Sequence, residues 1–132
     1  MKTICIMNLK GGVGKTVTAG NLADLLAVDH GKRVLLIDAD HQGNTSRFFR
    51  GDQEASTLRE ILTGEAEPYW PESVQRTGYE GLDLIPADMS LAELDASPVQ
   101  DPRAVWRLRE FLEEVDLDDA YDYVIIDMRL LL

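Results

Sequence analysis

Four short apolar runs punctuate the chain. They are residues 3–7, Arg33-Val34-Leu35-Leu36-Ile37, Leu82-Asp83-Leu84-Ile85-Pro86-Ala87 and Tyr123-Val124-Ile125-Ile126-Asp127. The first alternates poorly and is mostly apolar, the pattern of a strand buried on both faces of a sheet. Between the first two runs, Val17, Leu22, Leu25, Leu26 and Val28 recur at helical spacing from Lys15 to about Val28, and His30-Gly31 offers a stop. Strand, loop, helix and strand in that order make a βαβ unit with a right-handed crossover. The sheet is therefore expected to be parallel, with ligands bound beyond the carboxyl ends of its strands.

The remainder follows the same alternation. A T-x-x-E capping box opens a short helix at Thr57-Leu58-Arg59-Glu60-Ile61-Leu62, which ends at Gly64. Residues 65–81, with Pro68, Pro71, Gly78 and Gly81, read as a surface connection with a short extended piece at Ser73 to Arg76. Its Tyr69-Trp70 pair is either a partner contact or a cover folded back on the core. After the third run comes a helical turn through Met89, Leu91 and Leu94. Asp101-Pro102 then supplies an N-cap and a first-turn proline to a helix with Val105, Leu108, Phe111, Leu112 and Val115 on its apolar face and Trp106 beside it. Asp116 to Asp122 reads as an acidic turn, and Cys5 as a small buried hydrophobe inside the first strand.

The loop after the first strand carries the chemistry. Leu9-Lys10-Gly11-Gly12-Val13-Gly14-Lys15-Thr16 stands between a strand and a helix. Its glycines let successive N–H groups approach one phosphate, and the helix start behind them favours an anion. Lys15 adds a cation for the outer phosphates, and Thr16 a hydroxyl for the Mg2+ that accompanies a nucleoside triphosphate. The strict phosphate-loop pattern asks for glycine where Leu9 stands, and a second lysine, Lys10, is present instead.

Two acidic stretches leave the sheet at the end where this loop lies. Asp38-Ala39-Asp40-His41-Gln42-Gly43-Asn44 follows the second strand, and Asp127 closes the fourth. Carboxylates beside a polyphosphate are sensible when Mg2+ lies between them. A polar turn after a strand is the simpler alternative for the first stretch. Four apolar residues followed by an aspartate form the Walker B pattern, whose terminal carboxylate meets magnesium.

Together, K-G-G-V-G-K-T at residues 10–16, the D-A-D-x-Q-G-N stretch at 38–44, Ile85-Pro86-Ala87 and Tyr121-Asp122-Tyr123-Val124-Ile125-Ile126-Asp127 resemble the deviant Walker A ATPases of the ParA/MinD superfamily, of the ParA/Soj type. The resemblance implies an α/β fold, a P-loop NTPase-like three-layer α/β/α arrangement on a mostly parallel sheet. It covers residues 1–132 as one partial nucleotide-binding domain, the N-terminal half of a typical member, and the chain is expected to be truncated after the Walker B strand. By resemblance ATP and Mg2+ are the ligands. Lys10, Gly11, Gly12, Val13, Gly14, Lys15, Thr16 and Val17 would hold the nucleotide, and Thr16, Asp38 and Asp127 the metal. Lys10, Lys15 and Asp40 would be catalytic, Lys10 by reaching across a nucleotide-sandwich homodimer and Asp40 by positioning the attacking water.

Two residues depart from the family pattern. His41 replaces a proline, leaving it either a loop histidine facing solvent or a catalytic group. Val17 replaces a threonine, and losing such a hydrogen bond to phosphate costs ~1.5–3 kcal/mol where nothing replaces it. The resemblance further implies a partitioning ATPase with a centromere-binding ParB-type partner. The alternative is a non-catalytic nucleotide-binding fragment or interaction module. After Asp127 the family motif gives way to Met128-Arg129-Leu130-Leu131-Leu132, from which a shortened or frame-disrupted member is expected.

Composition narrows this picture. Thirteen basic against twenty-four acidic residues give a net charge of −11 and a pI near 4.5, which argues against broad attraction to DNA or anionic membrane. No apolar run has the length of a membrane span, and the N-terminus has no signal-peptide pattern, so a cytoplasmic location is expected. One cysteine cannot hold an iron–sulfur cluster, and the chain ends without the amphipathic helix that a MinD-like membrane role would want.

Overall fold

The computed structural model describes residues 1–8, 14–40, 43–49, 57–63, 74–87, 108–113 and 115–129. All four apolar runs are strands. In chain order the elements are β1 (Lys2–Asn8), α1 (Lys15–Asp24) with a π-helical turn at Leu25–Asp29, β2 (Val34–Ala39), α2 (Asn44–Phe49), α3 (Leu58–Thr63), β3 (Gln75–Arg76), β4 (Leu82–Ile85), α4 (108–112), α5 (Val115–Ala120) and β5 (Tyr123–Arg129). The strands lie in the order β1-β5-β2-β4-β3. All neighbours pair in parallel except β3 and β4, where the short extended piece seen in the sequence adds an antiparallel edge.

Over β2, β4 and β5 the sheet is covered on both faces. Along β2 successive side chains point to opposite sides. Val34 and Leu36 join Ala19, Ala23, Ala27, Phe49, Leu82, Leu84 and Ile125 on the α1–α2 side. Leu35 and Ile37 join Leu58, Ile61, Phe111, Leu117, Tyr121, Val124 and Ile126 on the other, beneath α3, α4 and α5. This is the three-layer α/β/α arrangement that the sequence predicts. Arg33 locks the entry to β2: its main-chain N–H and its guanidinium donate to Asp122, and its carbonyl accepts the N–H groups of Asp122 and Tyr123.

Four expectations need correction. Of the expected face, Leu22 and Leu26 pack half-buried against the core, but Val17, Leu25 and Val28 are exposed, and α1 with its π-helical turn buries Ala19, Ala23 and Ala27 instead. The small residues, spaced four apart, let the helix approach the sheet closely, and this turns the bulkier valines outward. β1 is not buried on both faces: Thr3 and Cys5 are exposed, and Ile4 and Ile6 half-buried. Among the described residues β1 pairs with β5 alone, so its other edge has no strand beside it. The acidic turn after residue 115 is instead the helix α5, which buries Leu117 against the core. Val115, expected at the end of the preceding helix, begins this one, separated from α4 by a turn at Glu113. The expectations for Tyr69-Trp70, for Met89 to Leu94, and for Val105 and Trp106 fall outside the described residues.

Candidate functional site

Three strands end together. The pairing sets Ile6 of β1 opposite Asp127 of β5, and Asp127 opposite Asp38 of β2. Two residues beyond Ile6, β1 ends at Asn8 and the chain enters the glycine-rich loop. The loop therefore leaves the sheet at the end that carries both carboxylates. Lys10, Gly11, Gly12 and Val13, with His41, lie outside the described residues. Gly14 closes the loop with φ of 85°, a left-handed conformation, and its carbonyl accepts the first helical hydrogen bond from Thr18 at 2.8 Å. A Cβ there would meet nothing within 4 Å, so the need for glycine is conformational. Lys15 and Thr16 form the first turn of α1. Val17 is 64% exposed.

Asp38 and Asp127 are fully shielded from solvent, and Asp40 nearly so. Asp38 is held by three donors: Asp40 N–H to Oδ1 at 3.1 Å, and Ser46 N–H and hydroxyl to Oδ2 at 2.9 and 2.6 Å. Thr45 donates its hydroxyl to Asp127 Oδ2 at 2.6 Å. Burial raises the Asp38 carboxyl above the ordinary aspartate range; the donors from Ser46 and Asp40 oppose that shift and the charge of Asp127 adds to it.

The intervening turn is built by Gly43. Its φ is 66°, its N–H donates to the Asp40 carbonyl at 2.9 Å, and a Cβ would lie 3.3 Å from the Ala87 carbonyl oxygen. Ala87 N–H in turn donates to the Ser46 hydroxyl at 2.7 Å. The end of β2, the start of α2 and the segment after β4 are thus joined in one buried network.

Thr45 and Ser46 are not among the residues that the sequence analysis singles out. Their signal is two hydroxyl residues directly behind Gly43-Asn44. The structure brings together Asp38, Asp40 and Asp127 of the expected site, and the chain path carries Lys15 and Thr16 to the same end. Beside them, α1 and α2 border a cavity of about 270 Å³ lined by Val17, Gly20, Asn21, Phe48, Phe49 and Tyr79, among others.

A family model described as an AAA domain matches residues 1–130. The chromosome partitioning protein ParA of Caulobacter vibrioides is 43% identical over 129 residues, a match covering 96% of this chain and 47% of that one. The chain belongs to the ParA-type P-loop ATPases. Its fold matches an McdA–ATP complex from Cyanothece with a TM-score of 0.83 and 33% identity, covering 100% of this chain and 49% of that one. Cobyrinic acid a,c-diamide synthase from Mycobacterium smegmatis with bound ADP and magnesium matches with a TM-score of 0.81 and 33% identity, over 98% of this chain and 51% of that one. The chain spans about half the length of the curated relatives it matches. As a ParA-type domain it has the mostly parallel sheet flanked by helices of that fold. Among its described residues no helix is long and apolar enough to cross a membrane.

Proposed function

We propose that this chain binds ATP with Mg2+ and works as a partitioning ATPase of the ParA type. The observation that carries this reading is the register of β2 and β5, which sets Asp38 opposite Asp127 at the sheet end where the phosphate loop leaves β1. Two buried like charges on neighbouring strands repel, and a divalent cation between them and a polyphosphate compensates both. Magnesium keeps several waters and takes one or two carboxylates together with phosphate oxygens, a donor set that Thr16, Asp38 and Asp127 would supply.

In this reading the backbone N–H groups of Gly11, Gly12, Val13, Gly14, Lys15, Thr16 and Val17 cradle the phosphates. Lys15, and Lys10 from a second copy in a nucleotide-sandwich homodimer, balance charge on the transferring phosphoryl group. Asp40 orients the water that attacks the γ-phosphorus as the bond to the β-phosphate oxygen breaks. Magnesium, held by Thr16, Asp38 and Asp127, would neutralise charge on the phosphates. The network from Asp40 N–H through Asp38 to Ser46 keeps the turn carrying Asp40 fixed relative to the sheet end. The working location is the cytoplasm, and the stimulating partner is a centromere-binding protein of the ParB type. At a net charge of −11 the chain has no general electrostatic attraction for DNA.

A second reading is a nucleotide-binding module that does not turn over. The observation that favours it is β1, which ends the described sheet and leaves the face carrying Thr3 and Cys5 exposed. Calorimetric titration with ATP and GTP tests the first reading and its base preference, and retained ATP affinity in Lys15→Ala overturns the phosphate-loop assignment. Turnover measured over a range of protein concentrations separates the two: activity that rises with dimer formation and depends on Lys10 supports the ATPase, and ATP binding without turnover supports the module.

A further inference from the structure

We propose that Thr45 and Ser46 are positioning residues: the first turn of α2 gives one hydroxyl to each of two carboxylates on different strands, and so fixes how Asp127 and Asp38 meet a phosphate-bound divalent cation. The inference rests on the cation site argued above.

Ala87 N–H can only donate, so the Ser46 oxygen accepts it, at 2.7 Å, and the Ser46 hydroxyl proton is available to the ionised Asp38 Oδ2 at 2.6 Å. A carboxylate offers about four acceptor directions. Asp38 spends three of them, on Asp40 N–H, Ser46 N–H and Ser46 Oγ. Its plane is therefore pinned, with the remaining direction on Oδ1.

Thr45, the residue before, pulls Asp127 Oδ2 toward the same turn at 2.6 Å. Without these two hydroxyls, register partners of like charge would rotate apart. Both hydroxyl residues are shielded from water, Thr45 completely and Ser46 at 2% exposure, so solvent offers no substitute donor. Outer partners of this kind orient metal-binding carboxylates, and their loss typically lowers metal affinity by about 10–100-fold.

The test is Mn2+ binding by electron paramagnetic resonance with ATP present, for the chain and its Thr45→Val, Thr45→Ser, Ser46→Ala and Asp127→Asn variants, each confirmed folded by circular dichroism. Thr45→Val and Ser46→Ala should weaken Mn2+ binding about tenfold or more, with Thr45→Ser close to the parent chain. If Asp127→Asn loses Mn2+ while both hydroxyl-deleting variants keep full affinity and only melt at lower temperature, the positioning role is overturned and the cation site stands. If Asp127→Asn binds Mn2+ as the parent does, the cation site itself is wrong and the positioning role falls with it.

Discussion

Asp38 and Asp127 are register partners across β2 and β5, both sealed from solvent, and each accepts a hydroxyl from one of two consecutive residues of α2. Neighbouring strands are about 4.8 Å apart, a spacing at which two buried carboxylates destabilise the fold unless something compensates them. The pair is thus a local cost to stability at the proposed cation site.

This cost should be visible in pH dependence. Burial raises the Asp38 carboxyl above its usual range. Its contribution is full below the unfolded aspartate value near 3.8 and is lost as pH rises through the folded value. The melting temperature of Asp38→Asn relative to the parent chain should therefore climb from pH 4.5 to pH 8, by a few degrees. A flat or falling difference in thermal scans would show that burial does not govern this group.

The turn between the two aspartates of the D-A-D stretch and α2 depends on Gly43. Gly43→Ala must adopt a positive φ and press its methyl group against the Ala87 carbonyl, 3.3 Å away. We expect a loss of about 1–3 kcal/mol in urea unfolding with an unchanged m-value. Wild-type stability in that variant would mean that the turn adapts freely.

Tyr121 ties α5 to β4 by donating its hydroxyl to Asp83 at 2.6 Å. Tyr121→Phe should cost about 1–2 kcal/mol at neutral pH. Burial first, and then Asp83, push the phenol above its ordinary value of 10.0. Its contribution is therefore full below that pH and is lost above it, so the deficit of the variant should narrow as denaturation is measured at increasingly alkaline pH.

Cys5 reports on the open edge of the sheet. The thiol is exposed on β1, so a thiol reagent should modify it stoichiometrically in the folded chain, without denaturant and without loss of helical circular dichroism. Protection until unfolding would mean that another segment or chain covers β1.

The four strands and the strand-helix-strand opening were legible in the sequence because each rests on local pattern: apolar runs and helical spacing. The burial of β1 was not legible. An apolar strand reads the same whether it lies inside a sheet or at its edge, and only the strand order puts Thr3 and Cys5 at an edge. The face of α1 was misread because alanines weigh little in a hydrophobic pattern, although their small size is what allows close packing against β2 and β5. The acidic stretch at 116–122 was read as a turn because its charges outweighed Leu117, which anchors α5 once a core exists to receive it.

By itself the sequence determined the strands and, through its resemblance to ParA-type ATPases, which residues to propose for nucleotide and metal: Lys10, Lys15, Thr16, Asp38, Asp40 and Asp127. Local chemistry fixes residue types and strand ends. Only the tertiary structure decided that Asp38 stands opposite Asp127, and that Thr45, Ser46 and the main chain at Ala87 hold the pair. The hydrogen bonds among them join residues as far as 82 positions apart, and the order and register of strands brings them together rather than any spacing along the chain.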